Sequence, residues 1–153
     1  MKSELFSVWS AQRDKDVYVQ YHSHDYYELV FYCSGSGAAH IDEEEYHFKT
    51  DDLVLIPPHV RHDERHYERG KVICVCFYCD LELTSAFYNG ADNGLKSMIN
   101  EMLSEALSQS YGYSDMLLSL LTALIIKMMR NRQKENAARK NNFRFIIKRI
   151  WSE

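Results

Sequence analysis

Three side chains that could bind a metal are evenly spaced near residue 25. His22, His24 and Glu28 stand at positions i, i+2 and i+6 of the segment His22-Ser-His-Asp-Tyr-Tyr-Glu28. Side chains of equal parity share one face of a β-strand, so we expect these three to point the same way. Leu-Val-Phe-Tyr follows Glu28, and a carboxylate in such surroundings is costly to bury unless it is paired or binds a metal.

A second histidine segment, Pro57-Pro-His-Val-Arg-His62, follows later in the chain. If the fold brings His62 beside the first group, the set is three imidazoles and one carboxylate. That set suits Zn, Ni, Mn or Fe(II) and leaves coordination positions free for a ligand. The alternative is a metal-free pocket in which these residues hydrogen-bond one another and a ligand around water.

The elements that must position these histidines are short strands. Runs rich in Val, Ile, Tyr and Phe alternate with turn residues as far as residue 84. The predicted strands are 17–20, 26–34, 38–41, 46–49, 53–57 and 72–80. Many short strands at near-regular spacing predict an antiparallel sandwich or barrel.

Parity also predicts which other side chains share the histidine face. On a strand across residues 22–34, Tyr26, Val30 and Tyr32 fall on the side of Glu28, while the odd positions face the opposite way. His40 is a further candidate, although the glycine-rich turn before it hides the register. The candidate ligand-binding residues are therefore His22, His24, Glu28, Tyr32, His40 and His62.

The apolar period becomes helical after residue 94. One apolar stripe predicts a helix over 95–109, and a second helix is predicted over 115–131. The second is apolar most of the way round, so we expect it to be buried on two sides. One side would cover the β body, and the other would meet a second copy. The predicted dimer interface is Leu117, Leu121, Leu124 and Met128; the alternative is a wholly intramolecular core helix.

The C-terminal segment is basic and ends on an apolar stripe. Residues 127–149 hold nine Lys and Arg against one Glu, whereas the whole chain has a net charge of −4. This segment is either a solvated helix face or a surface that approaches a polyanion such as DNA. Residues 133–142 are expected to be a linker or a frayed helix end. The stripe at 143–151 is typical of the first helix of a further module that the chain lacks.

Composition excludes several classes of protein. Hydrophobic residues make up 46%, charged residues 26%, and there are only six Gly and two Pro, which excludes a disordered or fibrous chain. No apolar run approaches the ~20 residues of a transmembrane helix, and no signal peptide is visible. We therefore expect a cytoplasmic protein whose four cysteines are reduced. No nucleotide-binding or serine-hydrolase motif is present.

The two histidine segments resemble the two cupin motifs. The first is His22-x-His24-x3-Glu28-x6-Gly35, and the second runs from Asp52 to His62 and supplies the fourth metal ligand. Asp51 and His59 stand where that family usually has glycine, and His66 stands where it usually has asparagine. These differences bear on cupin catalysis more than on the cupin fold.

The longer pattern, formed by residues 21–32, 34–37 and 52–62, is similar to the N-terminal domains of AraC-type transcription regulators. The resemblance covers residues 15–153. It implies an α+β, mainly β fold, a cupin-like antiparallel double-sheet barrel followed by two or three helices. The implied domains are an effector-binding barrel at 1–88, dimerisation helices at 89–132, and a linker with the start of a DNA-binding module at 133–153.

Three functions are compatible with these features. The first is a non-catalytic regulatory domain that binds a small-molecule effector, often a sugar, forms a homodimer, and meets DNA only through a C-terminal helix-turn-helix domain absent from this chain. The second is a metal-dependent cupin enzyme, an isomerase or dioxygenase. It would use His22, His24, Glu28 and His62. The third is a metal-free carbohydrate-binding protein with stacking surfaces from eleven Tyr and two Trp. The basic segment and the terminal stripe favour the first.

Overall fold

The chain folds into two antiparallel β-sheets and two helices. The computed structural model describes residues 1–150, with side chains through residue 140. The strands are β1 Ser3–Arg13, β2 Tyr18–His22, β3 Tyr27–Ser34, β4 Gly37–Ile41, β5 Glu44–Phe48, β6 Leu53–Ile56, β7 His62–His66, β8 Gly70–Cys79 and β9 Ala86–Tyr88, and the helices are α1 Asn93–Ser108 and α2 Tyr113–Ile150.

The sheets form the two walls of a barrel. The five-stranded sheet has the order β1-β8-β3-β6-β9 and the four-stranded sheet the order β2-β7-β4-β5. Every strand pairing in the described chain is antiparallel. The expected fold class, a mainly β, cupin-like double-sheet barrel followed by helices, is confirmed.

Strand β3 separates two hydrophobic cores. Val30 and Tyr32 belong to the core between the sheets, whereas Tyr27, Leu29 and Phe31 pack on the opposite side with residues of α1 and α2. The alternation arises because successive side chains of a strand point to opposite faces. The five-stranded sheet is therefore covered on both faces, by the other sheet and by the helices.

Three strands were not expected from the sequence. β1 pairs with β8 along nearly its whole length but has a register shift between Leu5 and Ser7, which interrupts the alternation that marks a half-buried strand. β7 consists of polar residues, His-Asp-Glu-Arg-His, and β9 has only three residues. Sheet pairing and burial, rather than local propensity, hold these segments extended.

Helix α1 agrees with its expected limits. It begins after Asp92, whose Oδ1 accepts a hydrogen bond from the Leu95 backbone N–H at 2.8 Å, as an N-cap residue does. It ends at Gln109, which adopts the left-handed conformation with φ 48°. No described helix is long and apolar enough to cross a membrane.

Helix α2 is longer than expected. It continues through Ile150, so 133–142 is helical rather than a linker. This stretch has no Gly or Pro and is rich in the helix-forming residues Lys, Glu, Ala and Arg. The apolar side chains expected at 143–151 lie outside the described side chains.

The expected dimer interface requires a correction. Leu117, Leu121, Leu124 and Met128 are between 0% and 7% exposed in the single chain, where they pack in the core shared with α1 and the five-stranded sheet. Helical periodicity showed two apolar sides on α2 but could not assign the inner one. Among the described side chains of α2, the exposed large hydrophobic residues are Met116, Leu118 and Ile126.

Candidate ligand site

A cavity of ≈ 290 Å³ lies inside the barrel between the two sheets. Of the residues expected to bind a ligand, His22, His24, Glu28, Tyr32 and His62 line it. His40 does not, and its side chain is 43% exposed. Its Nδ1 instead lies 2.8 Å from Asp63 Oδ1. The structure thus places five of the six candidates on one cavity, while their role in binding stays a prediction.

The three cavity histidines come from separate elements. His22 ends β2, His62 begins β7, and His24 lies in the segment between β2 and β3. One ring nitrogen from each lies within 4.8 Å of the others. The expectation that one strand would carry residues 22–34 was wrong, because β2 ends at His22 and β3 begins only at Tyr27. The pairing of β2 with β7, which sets His22 opposite His62, forms the group instead.

The same backbone contact orients all three rings. Nδ1 of His22 lies 2.8 Å from the Gln20 carbonyl, that of His24 lies 3.0 Å from the Tyr26 carbonyl, and that of His62 lies 2.9 Å from the Val60 carbonyl. Because a carbonyl oxygen only accepts, each Nδ1 carries the proton and donates it. Each Nε2 is left with a lone pair, as in metal-binding histidines oriented by their second ring nitrogen.

Two of these Nε2 atoms have no hydrogen-bond partner. Nε2 of both His24 and His62 is buried and unsatisfied, which is uncommon for buried polar atoms. Glu28 Oε2 lies 2.9 Å from His24 Nε2, where it can accept a hydrogen bond from the ring when His24 is protonated. Glu28 is not one of the three residues whose donor atoms lie together. The donor set therefore fits a divalent metal held by three imidazoles, with Glu28 beside it.

Burial and charge act differently on two of the histidines. Burial lowers the pKa of His24, but the Glu28 carboxylate outweighs it, so that pKa is raised above the ordinary histidine value. For His62, burial dominates and the pKa is lowered. The neutral form of His62, which a metal requires, is thus favoured by the fold itself.

A second polar group lies at the other end of the cavity. The Tyr32 hydroxyl donates to Glu64 Oε2 at 2.9 Å, and Glu64 Oε1 contacts Nε2 of the fully buried His66. Arg13 Nε lies 3.9 Å from Glu64 Oε1. Burial, followed by the Glu64 charge, raises the pKa of Tyr32 well above its ordinary value.

Sequence analysis did not identify Arg13, Glu64 or Trp9, which also line the cavity. Arg13 and Trp9 lie on β1 and Glu64 on β7, two strands that were not expected. A usable signal existed for Glu64, since it stands two residues after His62 and so falls on the same face of an extended strand.

The comparisons with known proteins agree with this architecture. The family model described as the AraC-like ligand binding domain matches residues 7–84. No curated protein matches the chain. The crystal structure of Vibrio cholerae ToxT with bound unsaturated fatty acid is similar over 83% of this chain, with 15% identity and a TM-score of 0.62. This chain spans 55% of that ToxT chain.

Two cupins are similar over about half of the chain. An RmlC-like cupin from Shewanella frigidimarina has 17% identity and a TM-score of 0.43 over 51% of this chain and 76% of its own. A predicted oxalate decarboxylase from Thermotoga maritima has 14% identity and a TM-score of 0.46 over 49% and 68%. The family model covers half of the sequence and the barrel it describes is present, so this chain belongs to the AraC-like ligand-binding domain family.

Proposed function

We propose that the chain is the effector-sensing domain of an AraC-type transcription regulator, and that a small molecule, such as a sugar or another metabolite, binds in the barrel cavity. Support comes from family membership and from a cavity that combines polar groups with apolar walls, as small-molecule sites do. Such a regulator would act in the cytoplasm without catalysing a reaction.

The observation that carries this proposal is the histidine group. Three rings from separate elements present their Nε2 atoms to one place; among the described residues Nε2 of His62 has no partner, and Nε2 of His24 meets only the Glu28 carboxylate. We infer that His22, His24 and His62 hold a divalent ion, Zn, Ni, Mn or Fe(II), with Glu28 as a further ligand or neighbour. The ion would supply an electrophilic position for a donor atom of the effector.

The five-stranded sheet provides a route from the cavity to the helices. Glu28, Val30 and Tyr32 of β3 line the cavity, while Leu29 and Phe31 of the same strand pack toward the helices. A shift of β3 on effector binding would therefore change the packing of α1 and α2. We propose that the helices form a homodimer through exposed apolar residues of α2, and that a helix-turn-helix domain beyond this chain reads DNA.

Metal binding by histidine variants tests the proposal. Co(II) titration of the apo protein, followed by visible absorption, is expected to show one tetrahedral or five-coordinate site per chain. His62→Ala should lose that spectrum because it removes a ligand. His47→Ala is the matched control, since His47 is 69% exposed and does not line the cavity. A spectrum that survives in His62→Ala would contradict the assignment.

A metal-dependent enzyme is the second candidate, and the contact between Glu28 and His24 favours it. With three imidazoles grouped and the Glu28 carboxylate beside one of them, the site has donors that a catalytic centre could use. The discriminating experiment is a screen of the metal-loaded protein for isomerase and dioxygenase activity. Turnover that is lost in Glu28→Gln while metal stays bound would favour the enzyme over the regulator.

A further inference from the structure

The cavity is lined by a guanidinium, that of Arg13, whose Nε has no hydrogen-bond acceptor among the described residues. We propose that the effector is a small carboxylate, and that its anionic group binds Arg13 at the end of the cavity opposite the histidines. The inference rests on the proposed effector site and names the chemical class of its ligand.

Arg13 is held close to an acid without being bonded to it. Its Nε atom is buried and has no hydrogen-bond partner, and the nearest carboxylate oxygen, Glu64 Oε1, lies 3.9 Å away. That separation exceeds hydrogen-bond distance. The Arg13 side chain as a whole is 24% exposed, but a buried N–H donor without an acceptor is costly, so an acceptor supplied by a ligand would be favoured at Nε.

Glu64 is not free to turn toward Arg13. Its Oε2 accepts from the Tyr32 hydroxyl, and its Oε1 contacts the ring of the buried His66. Tyr32 is fully buried and stacked on Phe48, with ring centroids 3.7 Å apart, so the phenol is fixed in place. The carboxylate is thus engaged by two rigid partners and meets Arg13 only as an ion pair at 3.9 Å, which leaves Arg13 Nε without a hydrogen-bond acceptor among the described residues.

The ring of Trp9 lies close to the Arg13 guanidinium. Arg13 Cζ lies 5.9 Å from the centroid of the Trp9 ring, within the range of a cation–π contact. Trp9 lies on the same strand as Arg13 and also lines the cavity. The arginine is therefore supported on one side by an indole, while its Nε has no acceptor in the chain.

The distance between the polar ends limits the ligand. Glu64 is two residues beyond His62 on β7, and Tyr32 is four residues beyond Glu28 on β3. At the rise of an extended strand, the backbone positions at the two polar ends are therefore roughly 7 Å apart along β7 and roughly 13 Å apart along β3. The walls between the two ends are apolar and include Val30, Val54, Val72 and Cys74.

These dimensions indicate a short, amphipathic acid. The cavity volume of ≈ 290 Å³ is at the lower end of small-molecule pockets, roughly 300–1,000 Å³. A carboxylate offers Arg13 two oxygens in the planar geometry that a guanidinium matches. A short hydrocarbon portion would lie against the apolar walls, and the far end would reach the histidines.

The test uses linear monocarboxylates from acetate to octanoate, each paired with its primary amide, titrated into the metal-free and the Co(II)-loaded protein by calorimetry. At least one acid is expected to bind, and its amide should bind on the order of tenfold more weakly, because the amide cannot form charge-assisted hydrogen bonds with the guanidinium.

Variants of Arg13 test whether this residue causes the preference for acid over amide. Arg13→Gln should remove the preference for acid over amide, and Arg13→Lys should restore part of it, since it keeps the charge but not the planar donors. Arg65→Gln is the control. Arg65 lies on β7 with its guanidinium carbon 4.9 Å from the Tyr18 ring centroid, and it does not line the cavity.

The outcomes separate this inference from the proposed function. If the Co(II) site forms but acids and amides bind equally, or no acid binds, the carboxylate inference is wrong and the metal-containing effector site stands. If the Co(II) site is absent and none of the probes binds, the proposed function itself fails. Retention of the acid preference in a folded Arg13→Gln protein would also overturn the inference.

Discussion

The barrel interior and the helical layer share the same five-stranded sheet but are built differently. On the barrel side of β3 stand Glu28, Val30 and Tyr32, around a cavity lined by imidazoles, carboxylates and an arginine. On the helix side, Leu29 and Phe31 are at most 2% exposed and pack against α1 and α2. The barrel side thus keeps costly polar groups and an open volume, whereas the helix side supplies close packing. We propose that binding and stability are divided between opposite faces of one sheet.

The largest expected effect comes from placing a charge on each side of α2. Leu121→Glu buries a carboxylate in the core, where Leu121 is fully buried, and should cost several kcal/mol and unfold most of the chain. Leu118→Glu lies on the exposed side and should leave the fold intact while shifting the proposed homodimer toward monomer. Circular dichroism and sedimentation velocity measure the two effects. An unfolded Leu118→Glu protein would contradict the assignment of Leu118 to the exposed side of α2.

Two isoleucines allow the faces of the sheet to be compared with the same substitution. Ile73 packs in the helix-side core and Ile56 lines the cavity. Ile73→Ala should cost about 2–5 kcal/mol, because it creates a void in a packed core. Ile56→Ala should cost less, since one side of that residue already faces open space. Urea unfolding at unchanged m-value gives both free energies, and equal losses would contradict the proposed division.

Metal binding is expected to stabilise the barrel side in particular. At a free metal concentration 100 times its Kd, a ligand that binds only the folded state adds about 2.7 kcal/mol. Zn(II) should therefore raise the melting temperature of the wild-type chain, and EDTA should reverse the rise. His24→Ala should melt at the same temperature with and without Zn(II). An unchanged wild-type melting temperature would leave the histidine group as a metal-free polar site.

Glu28→Gln tests the role of Glu28 at the proposed metal site. The amide has the shape of the carboxylate but not its charge, so the attraction to His24 is reduced while packing is kept. We expect metal affinity to fall roughly 10- to 100-fold, as when partners of metal ligands are removed. Competition with a chromophoric chelator measures this. Undiminished affinity would show that Glu28 serves neither as ligand nor as supporting partner.

The smallest expected effect concerns the basic part of α2. Lys127, Arg130, Arg132, Lys134, Arg139 and Lys140 lie on the described part of this helix. The isolated chain should bind duplex DNA weakly and without sequence preference, because phosphate contacts alone carry no base information. Fluorescence anisotropy should show the binding disappear as salt rises. Preference for one DNA sequence would contradict the assignment of base recognition to another domain.

Much of the fold followed from local patterns. The alternation in β3 predicted which side chains share the cavity face, and the 3.6-residue period predicted α1 to within two residues at each end. These features are local because burial on one face imposes a fixed period on the chain. β1 and β7 were missed because a register shift and a polar composition remove that period. Since Arg13, Trp9 and Glu64 lie on those strands, these three polar side chains of the cavity were missed with them.

By itself the sequence determined six of the nine described strands, both helices, the type of barrel, and the histidines and carboxylate able to meet a metal. Only the tertiary structure decided which nitrogen of each histidine faces the cavity, because that depends on carbonyl groups at Gln20, Tyr26 and Val60. It also decided which side of α2 is the inner one, since two apolar sides have the same period. The tertiary structure likewise decided that Arg13 of β1 lies beside Glu64 of β7, which is already bonded to Tyr32 and His66. Local sequence patterns indicate which side chains are buried, whereas packing determines which residues distant in the sequence contact one another.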